Sequence, residues 1–368
     1  MPLFKAIEQR LQEAVDQGIA PGLALAFGQA NKPLFSRFYG HATLLPRPQP
    51  LTQATLFDLA SLTKILGTTL IAMHLHRQGR LDLDRPLGAY RPSAYSDDLA
   101  ATTPRLLLAH ASGLPSSMSL YRDRPADPAD PSDQRQEAFA RARQANLVAP
   151  TGTVSRYSDL GPILLGDLFE TLLEGRLDRL CQDLLYGPLG VDSTFFVALD
   201  DPLPQAQRPS SAFAATEQCS WRQRLIRGQV HDENAYFLRG VAGHAGLFSD
   251  LDDLVSLACF LLAAHAGDKD FLPAPTLAEF TRRQNLVPDS SRALGWDTPF
   301  VGASCGGRFS PQAFGHTGFT GTSIWLDPVG QRFVVLLANR VHPHRDNRAF
   351  LRFRPQLHDM IIEALDRL

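Results

Sequence analysis

The chain reads as an α/β protein: an antiparallel sheet flanked by helices, with an all-helical region inserted between the two halves of the sheet. Three observations predict this. Strand-like runs cluster near the two ends, at 22–39 and 322–338, and are nearly absent from 81–229. An amphipathic helix precedes the first pair of runs and another follows the last. Between them, apolar residues recur at helical spacing, broken by loops rich in Pro and Ser. The expected division is a sheet-and-helix domain built from 1–60 and 235–368, and a mainly helical domain at 61–234, with the active site at their interface.

Met1 to Gly18 places Phe4, Ile7, Leu11 and Val15 on one helix face, with charged residues between them. Gly22 to Phe27 and Leu34 to Tyr39 read as strands joined across Gln29-Ala30-Asn31-Lys32-Pro33, whose turn formers predict a hairpin. Gly40 to Thr55 is Pro-rich and reads as irregular chain. It leads into a helix that opens at Ser61, runs through Leu70, Met73 and Leu75, and stops near Gly79. Tyr121 to Ser132, dense in Pro and Asp, predicts an exposed loop, as does Pro202 to Ala215. Arg135 to Asn146, Leu160 to Leu173 and Leu177 to Leu185 predict helices, the last two with the periodicity of packed ones. The glycines of Gly240-Val241-Ala242-Gly243-His244-Ala245-Gly246 mark close backbone approach ahead of a helix at Asp250 to His265. Thr322 to Leu326 and Phe333 to Ala338 are apolar strands separated by the turn Asp327-Pro328-Val329-Gly330. Leu357, Met360, Ile361 and Leu365 line a closing helix.

With 368 residues and 44% hydrophobic content the chain can bury a sizeable core. Its formal net charge of -2, with both signs mixed throughout, gives no electrostatic footprint for nucleic acid or an anionic membrane. A small-molecule substrate is the expected partner. Cys181, Cys219, Cys259 and Cys305 are widely spaced without a C-x-x-C pair, so free thiols are expected rather than zinc ligands or disulfides. No apolar run is long enough to predict a membrane span. The amphipathic start lacks the apolar core of an export signal, and the expectation is a cytoplasmic, cofactor-free protein. The pattern carries no signal for a particular oligomeric state.

The stretch that bears chemistry is Phe57-Asp58-Leu59-Ala60-Ser61-Leu62-Thr63-Lys64. If a helix opens at Ser61, Lys64 lies one turn on and on the same face, so its amine reaches the Ser61 hydroxyl. A serine hydroxyl needs a base beside it, and an amine is that base only if burial or cationic neighbours lower its pKa. Leu59, Ala60, Leu62 and Ile65 would supply the burial. Of the 36 basic residues only Lys5, Lys32, Lys64 and Lys269 are lysines, which leaves 32 arginines. Where a permanent cation suffices the chain uses Arg, whereas Lys shifts its pKa readily. The bland alternative is a Ser N-cap followed by a solvated Lys. Two further triplets would converge on Ser61. Tyr157-Ser158-Asp159 follows the turn Pro150-Thr151-Gly152 and precedes an apolar helix, which suits Tyr157 to shuttle a proton. Gly315-His316-Thr317-Gly318 precedes the strand at Thr322, with His316 as a polariser or substrate contact on an exposed strand edge.

Taken in this order, Ser61-Leu62-Thr63-Lys64, Tyr157-Ser158-Asp159 and His316-Thr317-Gly318 resemble the three motifs of the serine β-lactamase-like and penicillin-binding-protein family. That family includes class C β-lactamases, D-alanyl-D-alanine carboxypeptidases, D-aminopeptidases and related esterases. Leu107 to Pro115, Gly187 to Phe195 and Asn339 to Pro343 also look familial, so the resemblance spans roughly Pro21 to Leu365. It implies a β-lactamase/transpeptidase-like fold and a serine hydrolase that works through an acyl-enzyme on an ester, amide or small D-amino-acid peptide. Ser61 would attack the carbonyl, and Lys64 and Tyr157 would jointly take and return the proton. The N–H groups of Ser61 and of Phe319, next to Gly318 on the strand, would hold the oxyanion. Asp159, His316, Thr317 and Gly318 would contact substrate, Gly318 having no side chain to block it. The rival readings are a true β-lactamase or D-alanyl-D-alanine carboxypeptidase, and a non-catalytic binding protein on the same fold.

Two departures from the family pattern bear on substrate. His316 stands where Lys is usual, and a largely neutral imidazole lowers the expected dependence on a substrate carboxylate. Asp159 stands where Asn is usual; ionised, it only accepts, and it is expected to pair with Lys64 or with a substrate amine. His74 and His76 point to different helix faces, and neither they nor His342 and His344 show a zincin pattern, so no metal site is predicted. His110 and His244 are expected to be hydrogen-bonded structural residues. His231-Asp232-Glu233-Asn234 either lines the pocket or fastens the insertion to the sheet, the second being favoured. Tyr121 and Trp221 are loop aromatics that wall the site or simply pack.

Overall fold

In β1 (Gly22–Gln29), Leu23, Leu25 and Phe27 point to one face and Ala24 and Ala26 to the other, and all five are fully buried. A strand buried on both faces belongs inside a sheet. The computed structural model, which describes residues 4–128, 130–268 and 271–368, places it there. Residues 1–3, where the first helix was expected to begin, and Lys269 lie outside the described residues. The other strands of the sheet are β2 (Lys32–Thr43), β3 (Gln49–Pro50), β4 (Phe314–Thr317), β5 (Ser323–Asp327) and β6 (Arg332–Ala338). Their spatial order is β3-β2-β1-β6-β5-β4, with every neighbouring pair antiparallel. β1 meets β6 with Leu25 opposite Leu336, so the two ends of the chain share one sheet, and β4 forms its edge.

Helices Lys5–Asp16 and Ala349–Leu365 cover the face of Leu25, Phe27 and Trp325, packing Ile7, Leu11, Phe353, Leu357 and Ile361 against it. On the opposite face the small Ala24 and Ala26 admit helix Leu251–His265. The apolar cluster there continues without a break into helices Leu70–Arg77 and Leu160–Leu173 of the middle segment.

Several elements differ from the sequence reading. The first hairpin turns on only two residues, Ala30 and Asn31, both at positive φ (51 and 61), so its strands extend to Gln29 and Lys32. The Pro-rich run after Gly40 is partly paired: β2 continues to Thr43, and His41 lies opposite Pro50. Phe314–Thr317 is itself a strand rather than the approach to one. Gly315 permits this, because a Cβ there would stand 2.4 Å from the Trp325 ring. Ser61 sits in the turn just before its helix. Lys64–Thr69 is π-helical and continues into the α-helix Leu70–Arg77, the kind of widened turn that recurs at functional sites.

Among the described residues all four cysteines are free thiols, and no helix is long and apolar enough to cross a membrane. Gly243 shows why the glycine-rich segment is spaced as it is. A Cβ there would lie 2.0 Å from the Pro162 carbonyl oxygen and 3.0 Å from Thr68 Oγ1. Gly243→Ala is expected to destabilise the fold by about 1–3 kcal/mol through overpacking. The readout is a lower urea midpoint at unchanged slope; a midpoint equal to that of the parent chain would refute the close approach.

Candidate active site

Ser61 is presented by a constrained turn. Ala60, the residue before it, has φ 46, a left-handed conformation that a non-glycine residue adopts at a cost. The buried carboxylate of Asp58 holds that turn: Oδ1 accepts from the Ala60 N–H at 2.8 Å and Oδ2 from the His231 N–H at 2.6 Å. The Asp58 carbonyl accepts from the Thr320 hydroxyl at 2.7 Å, which ties the turn after β4 to the same segment. Sequence reasoning passed over Asp58. The signal was there: an acid flanked by Phe57 and Leu59 in an otherwise apolar run has to be fully hydrogen-bonded once buried.

The side chains of three distant segments meet at the Ser61 hydroxyl. Lys64 Nζ donates to Ser61 Oγ at 2.9 Å, and Tyr157 Oη lies 2.8 Å from the same atom. The Lys64 amine also donates to the His244 carbonyl at 3.1 Å and pairs with Asp159 Oδ1 at 2.8 Å, so all three of its hydrogens are used. Asp159 is the N-cap residue of helix Leu160–Leu173, but its side chain caps nothing there and is free to face the lysine. Ser158 fixes the loop instead, its hydroxyl donating to the Pro115 carbonyl at 2.6 Å. The S-x-x-K spacing therefore works across the helix start as expected, and Lys64 is 1% exposed.

Its electrostatics are the reverse of the expectation. Burial acts to lower the Lys64 pKa, but the Asp159 carboxylate and the Tyr157 oxygen outweigh it and hold the amine above the ordinary lysine value. Lys64 is an ammonium at neutral pH. Asp159→Asn removes the largest of the raising contributions and is expected to bring the alkaline limb of the kcat/KM profile down by at least about one pH unit. An unmoved limb together with unchanged substrate preference would contradict the pairing.

His316 is 4% exposed, so the exposed strand edge of the sequence reading is corrected to a buried cavity wall. Burial, reinforced by the cations of Lys64 and Arg292, pushes its pKa down to about 3. Its Nδ1 sits 2.8 Å from the Thr317 carbonyl; a neutral ring makes that contact only as an N–H donor, which leaves Nε2 as an acceptor. The Gly318 N–H bonds the Thr322 carbonyl at 2.7 Å, and a Cβ at Gly318 would stand 2.5 Å from the Leu59 carbonyl. The glycine is thus required by the approach of this turn to the nucleophile segment, besides leaving the edge open. Phe319 lies in the turn after β4 and not on the strand; its ring is half-exposed and stacks on His231 at 5.7 Å.

Two cavities open from Ser61. One, of about 380 Å³, runs along Tyr157, Arg292, Asp297, His316, Thr317, Gly318, Phe319, Arg340 and Arg354. The other, of about 370 Å³, is lined by Tyr157, Asp159, His231, Asp232, Glu233, His244, Phe319 and Arg345. His231 to Asn234 does both things the sequence left open. His231, Asp232 and Glu233 face the second cavity, while Asp232 caps helix Glu233–Phe237 and takes His244 Nε2 at 2.8 Å. Asn234 fastens the loop at Met118 and Leu120. His110 accepts from the Ser158 N–H at 3.2 Å and packs on the Tyr157 ring at 4.7 Å, steadying the second motif. Tyr121 and Trp221 pack on each other at 4.6 Å. Among the described residues no cluster of three metal-ligating side chains is placed to hold an ion.

An antiparallel sheet built from both chain ends, with its edge strand facing a Ser-Lys-Tyr cluster that the middle segment contributes, defines a class of β-lactamase and transpeptidase-like proteins. The chain belongs to the β-lactamase family, whose model matches residues 7–355. It is 30% identical over 372 residues to the N-acetylmuramyl-L-alanine amidase of Bacillus subtilis (strain 168), covering 92% of this chain and 81% of that protein. A protein of Escherichia coli (strain K12) named for D-alanyl-D-alanine carboxypeptidase activity is 30% identical over 368 residues, covering 91% and 82%. Among solved structures, a penicillin-binding protein homologue from Caulobacter crescentus superposes with a TM-score of 0.73 at 19% identity, over 99% of this chain and 98% of that one.

Proposed function

We propose that the protein is a serine hydrolase that cleaves an ester, an amide or a small D-amino-acid peptide through an acyl-enzyme on Ser61. The site would lie between a sheet domain of 1–60 and 235–368 and a mainly helical domain of 61–234. The observation that carries the reading is the convergence of Lys64 Nζ and Tyr157 Oη on one hydroxyl, at 2.9 and 2.8 Å.

The raised Lys64 pKa favours a division of labour within the pair. An ammonium is no base, so Tyr157 takes the Ser61 proton as the hydroxyl attacks the carbonyl. Tyr157 does so as the phenolate, whose negative charge the neighbouring ammonium stabilises, and it becomes the neutral phenol as the proton arrives. Tyr157 then returns the proton to the leaving alkoxide or amine. The oxyanion falls between the N–H groups of Ser61 and Phe319, neither of which has an acceptor among the described residues. Preorganised donors of that type are worth about 3 kcal/mol of barrier each. Water hydrolyses the acyl-enzyme by the reverse proton path.

The two relatives described above carry names of amide-cleaving enzymes, which favours an amide as the natural bond. Turnover of p-nitrophenyl esters, an N-acetylmuramyl-L-alanine amide, D-alanyl-D-alanine and nitrocefin by the parent chain and by Ser61→Ala tests the reading. Ser61-dependent hydrolysis of at least one is expected, and nitrocefin turnover as fast as the ester would move the assignment to a true β-lactamase. Binding without turnover of any of the four would favour a silent member of the family.

A further inference from the structure

The cavity on the His316 side of Ser61 is strongly cationic. Arg292, Arg340 and Arg354 line it, and among its lining residues Asp297 is the one carboxylate. That carboxylate is already engaged: Oδ1 accepts from the Ser291 hydroxyl at 2.6 Å and the Thr298 N–H at 3.0 Å, and Oδ2 lies 3.6 Å from Arg292. Arg340 and Arg354 have no acidic partner among the described residues. Arg340 donates to the carbonyls of Asn347 at 2.9 Å and Arg345 at 3.4 Å, and lies 4.7 Å over the Phe319 ring. Arg354 is 5% exposed and its Nε has no acceptor; its neighbours include the Phe350 ring and Arg340, a second cation. The acceptor nitrogen of His316 is buried in the same wall, also without a partner.

Two buried guanidiniums lining one cavity, neither with a carboxylate partner among the described residues, are a large cost in a folded chain. Burial and Arg340 bring the Arg354 pKa down only to about 10, so Arg354 keeps its charge at neutral pH. An oxyanion between the two would remove the repulsion and satisfy the idle donors, since guanidinium forks match carboxylate and phosphate oxygens. The charge count asks for two negative charges. The idle His316 nitrogen asks for one N–H or O–H donor beside them.

We propose that Arg340 and Arg354 form a subsite for a dianionic group of the substrate, a phosphate monoester or a pair of carboxylates, within reach of Ser61. The proposal runs against the sequence reading, in which neutral His316 lowered the expected dependence on an anion: the cations at this edge come from the segment after β6 and from the last helix. The word substrate rests on the hydrolase reading above; the anion site itself does not.

The test uses the whole chain, with inorganic phosphate, succinate and acetate as probes at constant ionic strength. Binding is read as a saturable rise of the thermal midpoint and as competitive inhibition of p-nitrophenyl ester hydrolysis. Phosphate or succinate is expected to bind at least about tenfold more tightly than acetate, and Arg354→Gln to weaken that binding at least about tenfold. The tighter of the two dianions tells a phosphate ester from a dicarboxylate. Equal affinity for all three anions, or an Arg354→Gln chain that binds phosphate and succinate as well as the parent, would overturn the proposal. Should that variant fail to fold, Arg340→Gln and the ranking of the three anions on the parent chain decide in the same way. Saturable dianion binding by a chain that hydrolyses nothing would leave the subsite standing and remove the hydrolase reading, whereas hydrolysis with no anion preference would remove the subsite alone.

Discussion

Ser61→Ala is expected to lower kcat/KM for p-nitrophenyl esters by at least about 10⁴-fold, the scale on which losing the nucleophile of an acyl-transfer site abolishes catalysis. The variant should keep its fold. Ser61 sits in a turn held by the Asp58 carboxylate and by the backbone bonds of Leu62, Thr63 and Lys64, none of which uses the serine hydroxyl. What the substitution removes is the atom on which Lys64 and Tyr157 converge. A residual rate within tenfold of the parent, with unchanged thermal midpoint, would mean that the chemistry occurs elsewhere.

Tyr157→Phe ranks second. The ring would remain packed between His110 and His316, at 4.7 and 5.8 Å, so the cavity walls persist while the oxygen 2.8 Å from Ser61 is lost. Removing a positioned acid–base group lowers kcat by about 10²–10⁴-fold. KM should change little, because the phenol works on the proton rather than on substrate binding. The contrary outcome, a kcat that barely falls while KM rises, would return the base to Lys64 and recast Tyr157 as a binding residue.

How much of this was legible in the sequence follows from what each element depends on. Strands β1, β5 and β6 are buried on both faces, and their apolar runs announce them. Helix Leu160–Leu173 was legible to the residue because Leu160, Ile163, Leu164 and Leu168 recur at helical spacing between Asp159 and Glu174. β4 was not, since four residues spelled Phe-Gly-His-Thr have no period of their own and become a strand by pairing with β5 and, at Gly315, with Asp297. Nor was the π turn at Lys64–Thr69, whose six residues read as ordinary helix and are all buried.

In the site, the spacing of Ser61 and Lys64 was enough to place the amine on the hydroxyl, but not enough to give its charge. That charge depends on Asp159, which arrives from nearly a hundred residues away. The arginine lobe shows the same limit in another form. Arg354 lies between Phe350 and Leu357, at a core-facing position of an amphipathic helix, and an arginine there is a legible anomaly. Which cavity it borders depends on the fold.

The claim on which the rest depends is that the Ser61 hydroxyl becomes covalently acylated, and mass spectrometry of the parent chain treated with a fluorophosphonate tests it most directly. A single adduct, mapped to the peptide that carries Ser61 and absent from Ser61→Ala, is the predicted result. A preparation that hydrolyses ester yet carries no adduct, or carries it on another residue, would contradict the account.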